Sequence, residues 1–495
     1  MIQMFTTETD AAAQLAADAE ALRSTGHDLI DRMADYLAGI ESRPVSTPLS
    51  PAELERRFDE PLPREGRPAG EVWDEVWRDV VGNAIHFAHP MYMGHQIAPP
   101  LPHAVLADTL ASLLNQSLAV WEMSPTGTLV EERVVCWLAD ALGFPASAAG
   151  TLVSGGSVAN LTGLLAAREA RFPGCWTDGV ARTPDAERAV LLVSEHSHYS
   201  VERTAGLMGL GSHSVVGVGE RDGKMCPTEL ERAIDELRGE GRIPFAVSAT
   251  AGATAMGLFD PLDQIADVCQ RAGVWMHVDG AHGASFVMSD TLRHLVHGIE
   301  RADSVAWDPH KMLWMPMSTG AVLVRDGRHL EAAFRQKAPY LFHTRPGEDR
   351  CRDAGRMTLQ CTRRFDALKL WVALRHYGTG HFAGLLERTT ATARSLQDKL
   401  AAASDFEPMH AVESNILCFR HLPESVRGWT DDEVDAFQAE LRARLNASGR
   451  GWITTTVLNE RRVLRVTLMN PRTGDEHLDR LMEALREIGR ELAGT

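Results

Sequence analysis

Between Thr151 and Val324, seven short and largely apolar runs alternate with stretches of helical periodicity. The runs are TLV (151–153), AVLLV (189–193), SVVGV (214–218), FAVSA (245–249), VWMHV (274–278), DSVAW (303–307) and GAVLV (320–324). Apolar runs of this length suit strands covered on both faces, and helices between them supply the crossovers that parallel pairing requires. The expected fold class is α/β, with a mostly parallel sheet carrying helices on both faces.

The flanks read differently. Leu22, Leu29, Ile30, Met33, Leu37 and Ile40 recur near helical spacing until ESRPVSTPLSP stops the pattern with two X-Pro steps. Residues 51–85 read as helical again, HFAHPMYMGHQIAPPLP as irregular, and 103–121 and 127–144 as two long helices parted by MSP. After about residue 380, NILCFR and RVLRVTL alternate with helical stretches, as in a smaller α+β unit. The expected division is a helical arm over 1–95, a large domain over 96–380 and a small domain over 381–495. There is no internal repeat.

Charge and cysteine usage narrow the function classes. Fifty Lys and Arg against 67 Asp and Glu leave a net charge of -17, which repels a nucleic-acid backbone or an anionic membrane surface. The seven cysteines are odd in number and include no CxxC pair, as expected of reduced thiols in a cytoplasm. No apolar stretch approaches the length of a membrane span, and the first twenty residues lack a basic patch followed by an apolar run. A cytoplasmic enzyme of some size is the expectation.

In an open parallel sheet, ligands bind beyond the C-terminal strand ends. The residues placed there are unusually polar. Ser154-Gly155-Gly156-Ser157 precedes the helical pattern VANLTGLLAAR; its glycines permit close backbone approach, Ser157 is expected to cap the helix, and the positive helix end attracts an anion such as phosphate. His196 and His198 follow the second run, Asp279 ends the fifth, and Asp308-Pro309-His310-Lys311 follows the sixth. Singly, each suits a turn, a cap or a solvated loop. Jointly, an anion cradle, an acid, an imidazole and a lysine meet the needs of pyridoxal phosphate (PLP). That cofactor needs a lysine amine for its aldehyde, here Lys311, and a carboxylate for its pyridine nitrogen, here Asp279. It also needs a flat partner on one ring face, for which His198 is suited, and a small one on the other, for which Ala281 is suited. A metallohydrolase using His277, Asp279, His282, His196 and His198 is a competing reading, though it gives Lys311 and the glycines no purpose. A catalytically inactive scaffold is a third.

With these residues assembled, the chain resembles the group II PLP-dependent amino-acid decarboxylases, which include glutamate, aromatic-amino-acid and diaminobutyrate decarboxylases. The resemblance runs over nearly the whole chain, through DLIDRMADYLAGIESRPV, HPMYMGHQIAPP, TLVSGGSVANLTGLLAAR, ATAGATAMGLFDPLDQIA, VWMHVDGAHGAS, ADSVAWDPHKML, TRRFDALKLW and RVLRVTLMNPRT in family order. It implies a fold-type-I enzyme in which Lys311 forms the Schiff base, Asp279 faces the pyridine nitrogen and His198 stacks on the ring. It further implies phosphate contacts from Gly156, Ser157 and His310, with Thr254 and Ala281 also beside the cofactor. Arg465 is implied as the partner of a substrate carboxylate, with His95 and Asn115 on the substrate side. An obligate homodimer with shared active sites, the N-terminal arm lying on the partner subunit, completes the expectation. The implied reaction is decarboxylation of an L-amino acid to its amine, with no metal, the substrate being acidic or diamino and an aromatic amino acid an alternative.

Two departures from the family pattern matter. Gly252-Ala253-Thr254 stands where many relatives carry Gly-Thr-Thr, so one hydroxyl near the cofactor is missing. The stretch 343–358, HTRPGEDRCRDAGRMT, holds no tyrosine, whereas aromatic-type relatives use a loop tyrosine to protonate Cα; Tyr340 is the nearest. His343 or His198 is the expected substitute donor. Without that donor a second product becomes an alternative, an aldehyde formed by decarboxylation-dependent oxidative deamination. Arg345, Arg350, Arg352 and Arg356 in the same stretch, set against Glu348, Asp349 and Asp353, suit attraction of an acidic substrate or a solvated mixed-charge loop.

Overall fold

In a computed structural model of the chain, which describes residues 8–342 and 352–494, all seven apolar runs become strands of one sheet. They are β1 (Ala149–Val153), β2 (Ala189–Ser194), β3 (Val215–Val218), β4 (Ile243–Thr250), β5 (Trp275–Asp279), β6 (Ser304–Trp307) and β7 (Gly320–Val324). Their spatial order is β1-β7-β6-β5-β4-β2-β3. The pairs from β3 across to β6 are parallel. β7 is antiparallel to both β6 and β1. The reason is local: only the four-residue helical turn Pro309–Met312 and a short loop separate β6 from β7, too little for a crossover helix.

Among the described residues, ten helices of nine or more residues frame this sheet and a smaller one: α1 (Glu8–Ala38), α2 (Pro102–Leu114), α3 (Pro125–Leu142), α4 (Gly156–Arg171), α5 (Tyr199–Leu207), α6 (Pro227–Gly239), α7 (Leu262–Ala272), α8 (Ala367–Ala402), α9 (Asp431–Ala447) and α10 (Asp475–Ala493). Successive strand residues serve opposite faces. Val190 and Leu192 enter one core with α3, α6 and α7, while Leu191 and Val193 enter another with α4. Each such side chain gains about 1.5–3 kcal/mol on burial, so a one-residue slip, which would reverse both sets, is strongly disfavoured.

The small sheet has β8 (Phe406–Pro408), β9 (Ile416–His421), β10 (Thr454–Leu458) and β11 (Arg461–Thr467) in the order β8-β9-β11-β10, all antiparallel. Leu396 and Leu400 of α8, Leu441 of α9 and Leu485 of α10 build its core. α8 is two helices joined across a kink at Gly378 (φ 73°, ψ 161°), and the expected boundary at 380 lies beside that kink.

Three regions differ from the sequence expectation. Residues 51–85 do not form one helix: Pro51–Phe58 and Ala69–Glu75 are short helices, followed by the π-helical turn Val76–Val81, because Pro61, Pro63 and Pro68 interrupt the path. α2 stops at Leu114, short of 121, where Asn115 takes a left-handed conformation (φ 47°). The N-terminal 95 residues are also not wholly an arm. Val45, Met91, Tyr92 and Met93 lie in the small-sheet core, held by hydrogen bonds from Met93 N to Trp452 O (2.9 Å) and from Thr467 N to Met93 O (2.9 Å). Among the described residues, no helix is long and apolar enough to cross a membrane.

Candidate active site

The ends of β1, β2, β4, β5 and β6 open onto one cavity of about 350 Å³. Gly156, Ser157, His198, Thr254, Asp279, Ala281, His310 and Lys311 all line it. Eight residues spread over 156 positions of sequence meet there because parallel strands deliver their following loops to the same edge.

Lys311 lies in the Pro309–Met312 turn, which Pro309 opens and Asp308 precedes. Its Nζ stands 3.2 Å from Asp308 Oδ2. Asp308 is buried, and its Oδ1 has no hydrogen-bond partner among the described residues. His310 Nδ1 donates to Thr319 O at 2.7 Å, which turns the ring toward the cavity wall. Asp308 itself faces the glycine loop: a Cβ at Gly156 would lie 2.9 Å from Asp308 Oδ2 and 3.1 Å from the Ala281 methyl, so only glycine fits there. The expected cap at Ser157 is absent. The helix starts two residues earlier, at Gly156 after an N-cap Gly155, so Ser157 lies inside the first turn rather than at the cap.

Asp279 is held from two sides. Asn160 Nδ2 donates to its Oδ2 at 2.9 Å, and Ala281 N donates to its Oδ1 at 3.2 Å. Asn160 Oδ1 lies 3.0 Å from His277 Nε2, and His277 Nδ1 lies 2.8 Å from Ser304 Oγ. Complete burial pushes the His277 imidazole down to about 4. His198 precedes α5, and its Nδ1 accepts from Ser200 N (3.3 Å) and lies 2.8 Å from Ser200 Oγ, leaving Nε2 to carry the ring proton. Burial also lowers its pKa, against the opposing pull of Asp279.

Other expected residues are not brought to this cavity within one chain. His95 and Asn115 are solvent-exposed outside it. Arg465 is buried behind the cavity wall, its guanidinium donating to Ala255 O (3.0 Å), to Thr254 O (2.5 Å) and to Gly94 O (3.4 Å). It fastens the turn carrying Thr254 to the small sheet. His343, Arg345, Glu348, Asp349 and Arg350 lie outside the described residues; Arg352 sits 3.2 Å from Glu132.

The metal reading loses its ligands. Both His277 nitrogens are engaged in hydrogen bonds, His282 Nε2 donates to Asn415 Oδ1 at 2.7 Å, and His196 pairs with Glu220 at 2.9 Å in a separate cavity. No group of three metal-ligating side chains occurs among the described residues. Sequence reasoning passed over Asn160, Asp308 and Ser200. For Asp308 a signal existed, a carboxylate three residues before the lysine; for Asn160 the only signal was an amide inside an otherwise apolar helical pattern.

A glycine-lined helix N-terminus, a lysine, a carboxylate and an imidazole around one cavity fit PLP, and the partnerless Asp308 oxygen shows a polar wall awaiting a ligand. This defines an enzyme of the PLP-dependent class. The conserved domain of pyridoxal-dependent decarboxylases matches residues 51–422, and the chain belongs to that family, the PLP-dependent carboxy-lyases. It is 31% identical to an aromatic-L-amino-acid decarboxylase of Bacillus atrophaeus, over 97% of this chain and 98% of that one. It is 34% identical to an L-2,4-diaminobutyrate decarboxylase of Rhizobium meliloti (strain 1021), over 98% and 96%. The cysteine sulfinic acid decarboxylase of Mus musculus is 34% identical over 89% and 90%, and the crystal structure of mouse CSAD superposes with a TM-score of 0.89, covering 96% of this chain and 99% of the other.

Proposed function

We propose that the chain decarboxylates an L-amino acid bearing a second ionisable group, acidic or diamino, to the corresponding amine and CO2. The observation that carries the reaction is the meeting of Lys311, Asp279, His198 and the N-terminus of α4 at one cavity. When bound, PLP supplies an aldehyde for covalent attachment and a ring that takes up the electron pair released as CO2 leaves. Lys311 Nζ is the attachment point. Asp279 would hold a proton at the pyridine nitrogen, and His198 and Ala281 would bound the ring. The backbone of Gly156 with Ser157 and His310 orients the phosphate, with Thr254 at the cavity rim. His198 lines the cavity and, when its ring takes up a second proton, is a donor this chain offers for the proton that replaces the carboxylate, returning to the neutral imidazole.

The substrate class rests on relatives at 34% identity, one named for a diamino acid and the others for a sulfinic acid. A screen of CO2 release over the amino acids, with amine, aldehyde, ammonia and peroxide assayed together, tests it. We expect amine in proportion to CO2 from an acidic or diamino acid. Release from aromatic amino acids alone overturns the substrate class. Aldehyde, ammonia and peroxide in place of amine would establish the second reading, which the absence of a tyrosine from 343–358 favours.

The same reading makes the enzyme a homodimer in the cytoplasm. Leu106, Leu110, Leu113 and Leu114 form an exposed stripe along α2, which ends at Asn115, and His95 is likewise outside its own chain's cavity. A second copy covering that stripe would bring both polar residues toward a shared site.

A further inference from the structure

Behind Asp279 lies a chain of four buried side chains whose polarity is fixed by its far end. An indole N–H can only donate, and Trp275 Nε1 donates to Ser304 Oγ at 2.9 Å. The indole cannot accept, so among the described residues the acceptor left for the Ser304 hydroxyl proton is His277 Nδ1, 2.8 Å away. His277 therefore carries its proton on Nε2, which donates to Asn160 Oδ1 at 3.0 Å. That contact in turn fixes the amide: a flipped Asn160 would set its NH2 against the imidazole N–H and its oxygen against the Asp279 carboxylate. As placed, one Asn160 N–H reaches Asp279 Oδ2 (2.9 Å) and the same nitrogen reaches Ser200 Oγ (3.0 Å), the hydroxyl beside His198 Nδ1. From the indole to Asn160 each link donates toward the carboxylate, and the second Asn160 N–H branches to Ser200.

Two further observations fit a built device rather than incidental packing. Gly163, one turn along α4 from Asn160, leaves the space in which the imidazole sits: a Cβ there would lie 2.9 Å from His277 Nδ1 and 3.1 Å from Ser304 Oγ. Burial holds the ring neutral, with a pKa of about 4, so it keeps one donor and one acceptor across the working pH range.

We propose that Trp275, Ser304, His277 and Asn160 are positioning residues that act through Asp279, holding its carboxylate ionised and aimed so that a cofactor pyridine nitrogen facing it stays protonated. Through Ser200, the same amide ties the carboxylate to the imidazole proposed for the ring face. The proposal rests on the PLP site put forward above. A chain of donors ending on a carboxylate stabilises its charged form, as a charge-assisted hydrogen bond does.

The test uses the full-length protein reconstituted with PLP labelled with 15N at the pyridine nitrogen. Its readouts are the 15N chemical shift and the rate of PLP release, measured on wild type and on Asn160→Leu, His277→Leu, His277→Gln and Trp275→Phe. In the wild type the shift should be that of a protonated pyridine. Asn160→Leu and His277→Leu should move it toward the unprotonated value and speed release on the order of 10-fold, the scale of one lost charge-assisted hydrogen bond. His277→Gln, whose amide N–H can still reach Asn160 Oδ1, should restore most of the shift. Trp275→Phe removes only the outermost donor, so it reads the proposal even if the inner variants fail to fold; a smaller movement in the same direction is expected. An unchanged 15N shift in Trp275→Phe and in every folded inner variant overturns the proposal. A wild type that takes up no PLP overturns the site reading on which it stands.

Discussion

At the scale of single residues, the site depends on atoms that are absent as much as on those present. Gly156 has no Cβ where one would press on the Asp308 carboxylate and the Ala281 methyl. Gly156→Ala should therefore weaken PLP binding by ~5- to 150-fold, from ~1–3 kcal/mol of overpacking, while apo stability changes less; fluorescence titration with PLP and thermal melts of the apo protein separate the two. Sequence reading singled out Gly156, Asp279, His198 and Lys311 because chemistry limits which residue types serve there. It did not reach Asn160, since a buried amide is silent in sequence until its neighbours are known. For Arg465, implied as the partner of a substrate carboxylate, the folded chain adds that its guanidinium donates to the carbonyls of Ala255 and Thr254. An arginine's type suggests anion binding, but only its surroundings decide whether its donors are already used.

At the scale of elements, the seven strands were legible because continuous apolar runs can only be buried on both faces, and the termini of helices were less so. α2 ended seven residues early at a left-handed Asn115, a local conformation that periodicity does not encode. The kink in α8 is of the same kind. Gly378 has φ 73° and ψ 161°, a region open essentially to glycine alone, and nothing lies within 4 Å of a Cβ built there. Gly378→Ala should thus cost about 1–3 kcal/mol through backbone strain with no steric clash, read as a lower urea midpoint. Because α8 spans the large and small domains, the same variant should loosen the seating of the small sheet, seen as faster amide exchange in β9 and β11 than in β4.

At the scale of the whole molecule, buried histidines set the response to acid. Burial depresses His277 to about 4 and His282 to about 3, below the 6.5 of an unfolded chain. Between pH 6.5 and 4 the unfolded chain binds protons that the folded chain refuses. Stability is then full above pH 6.5 and falls with pH by roughly 1.4 kcal/mol per unit for each ring. Asp260 acts in the other direction: burial raises it to about 6, so the folded chain takes up its proton first as pH falls from 6 toward 4. The two histidines outweigh the one carboxylate, so the urea midpoint should drop between pH 6.5 and 4.5. His282→Gln should flatten that drop, and Asp260→Asn should steepen it.

The proposed dimer also belongs at this scale. Light scattering should give about twice 54.3 kDa, and Leu110→Glu with Leu113→Glu should yield monomers whose activity falls in step with dissociation. The net charge of -17 bears on the same question. Arg465 donates to Thr254 O within its own chain, and the proposed dimer would add further positive charge for an acidic substrate at a shared site.

By itself, the sequence determined the α/β class, the sheet edge where chemistry occurs and the residue types suited to PLP, because burial pattern and functional-group chemistry are local properties of the chain. Tertiary structure alone decided which of those residues share a cavity, that Asp308 faces both the lysine and the glycine loop, and that a one-way row of donors ends on Asp279. Those facts depend on distances between residues more than a hundred positions apart, which exist only once the strands have taken their order.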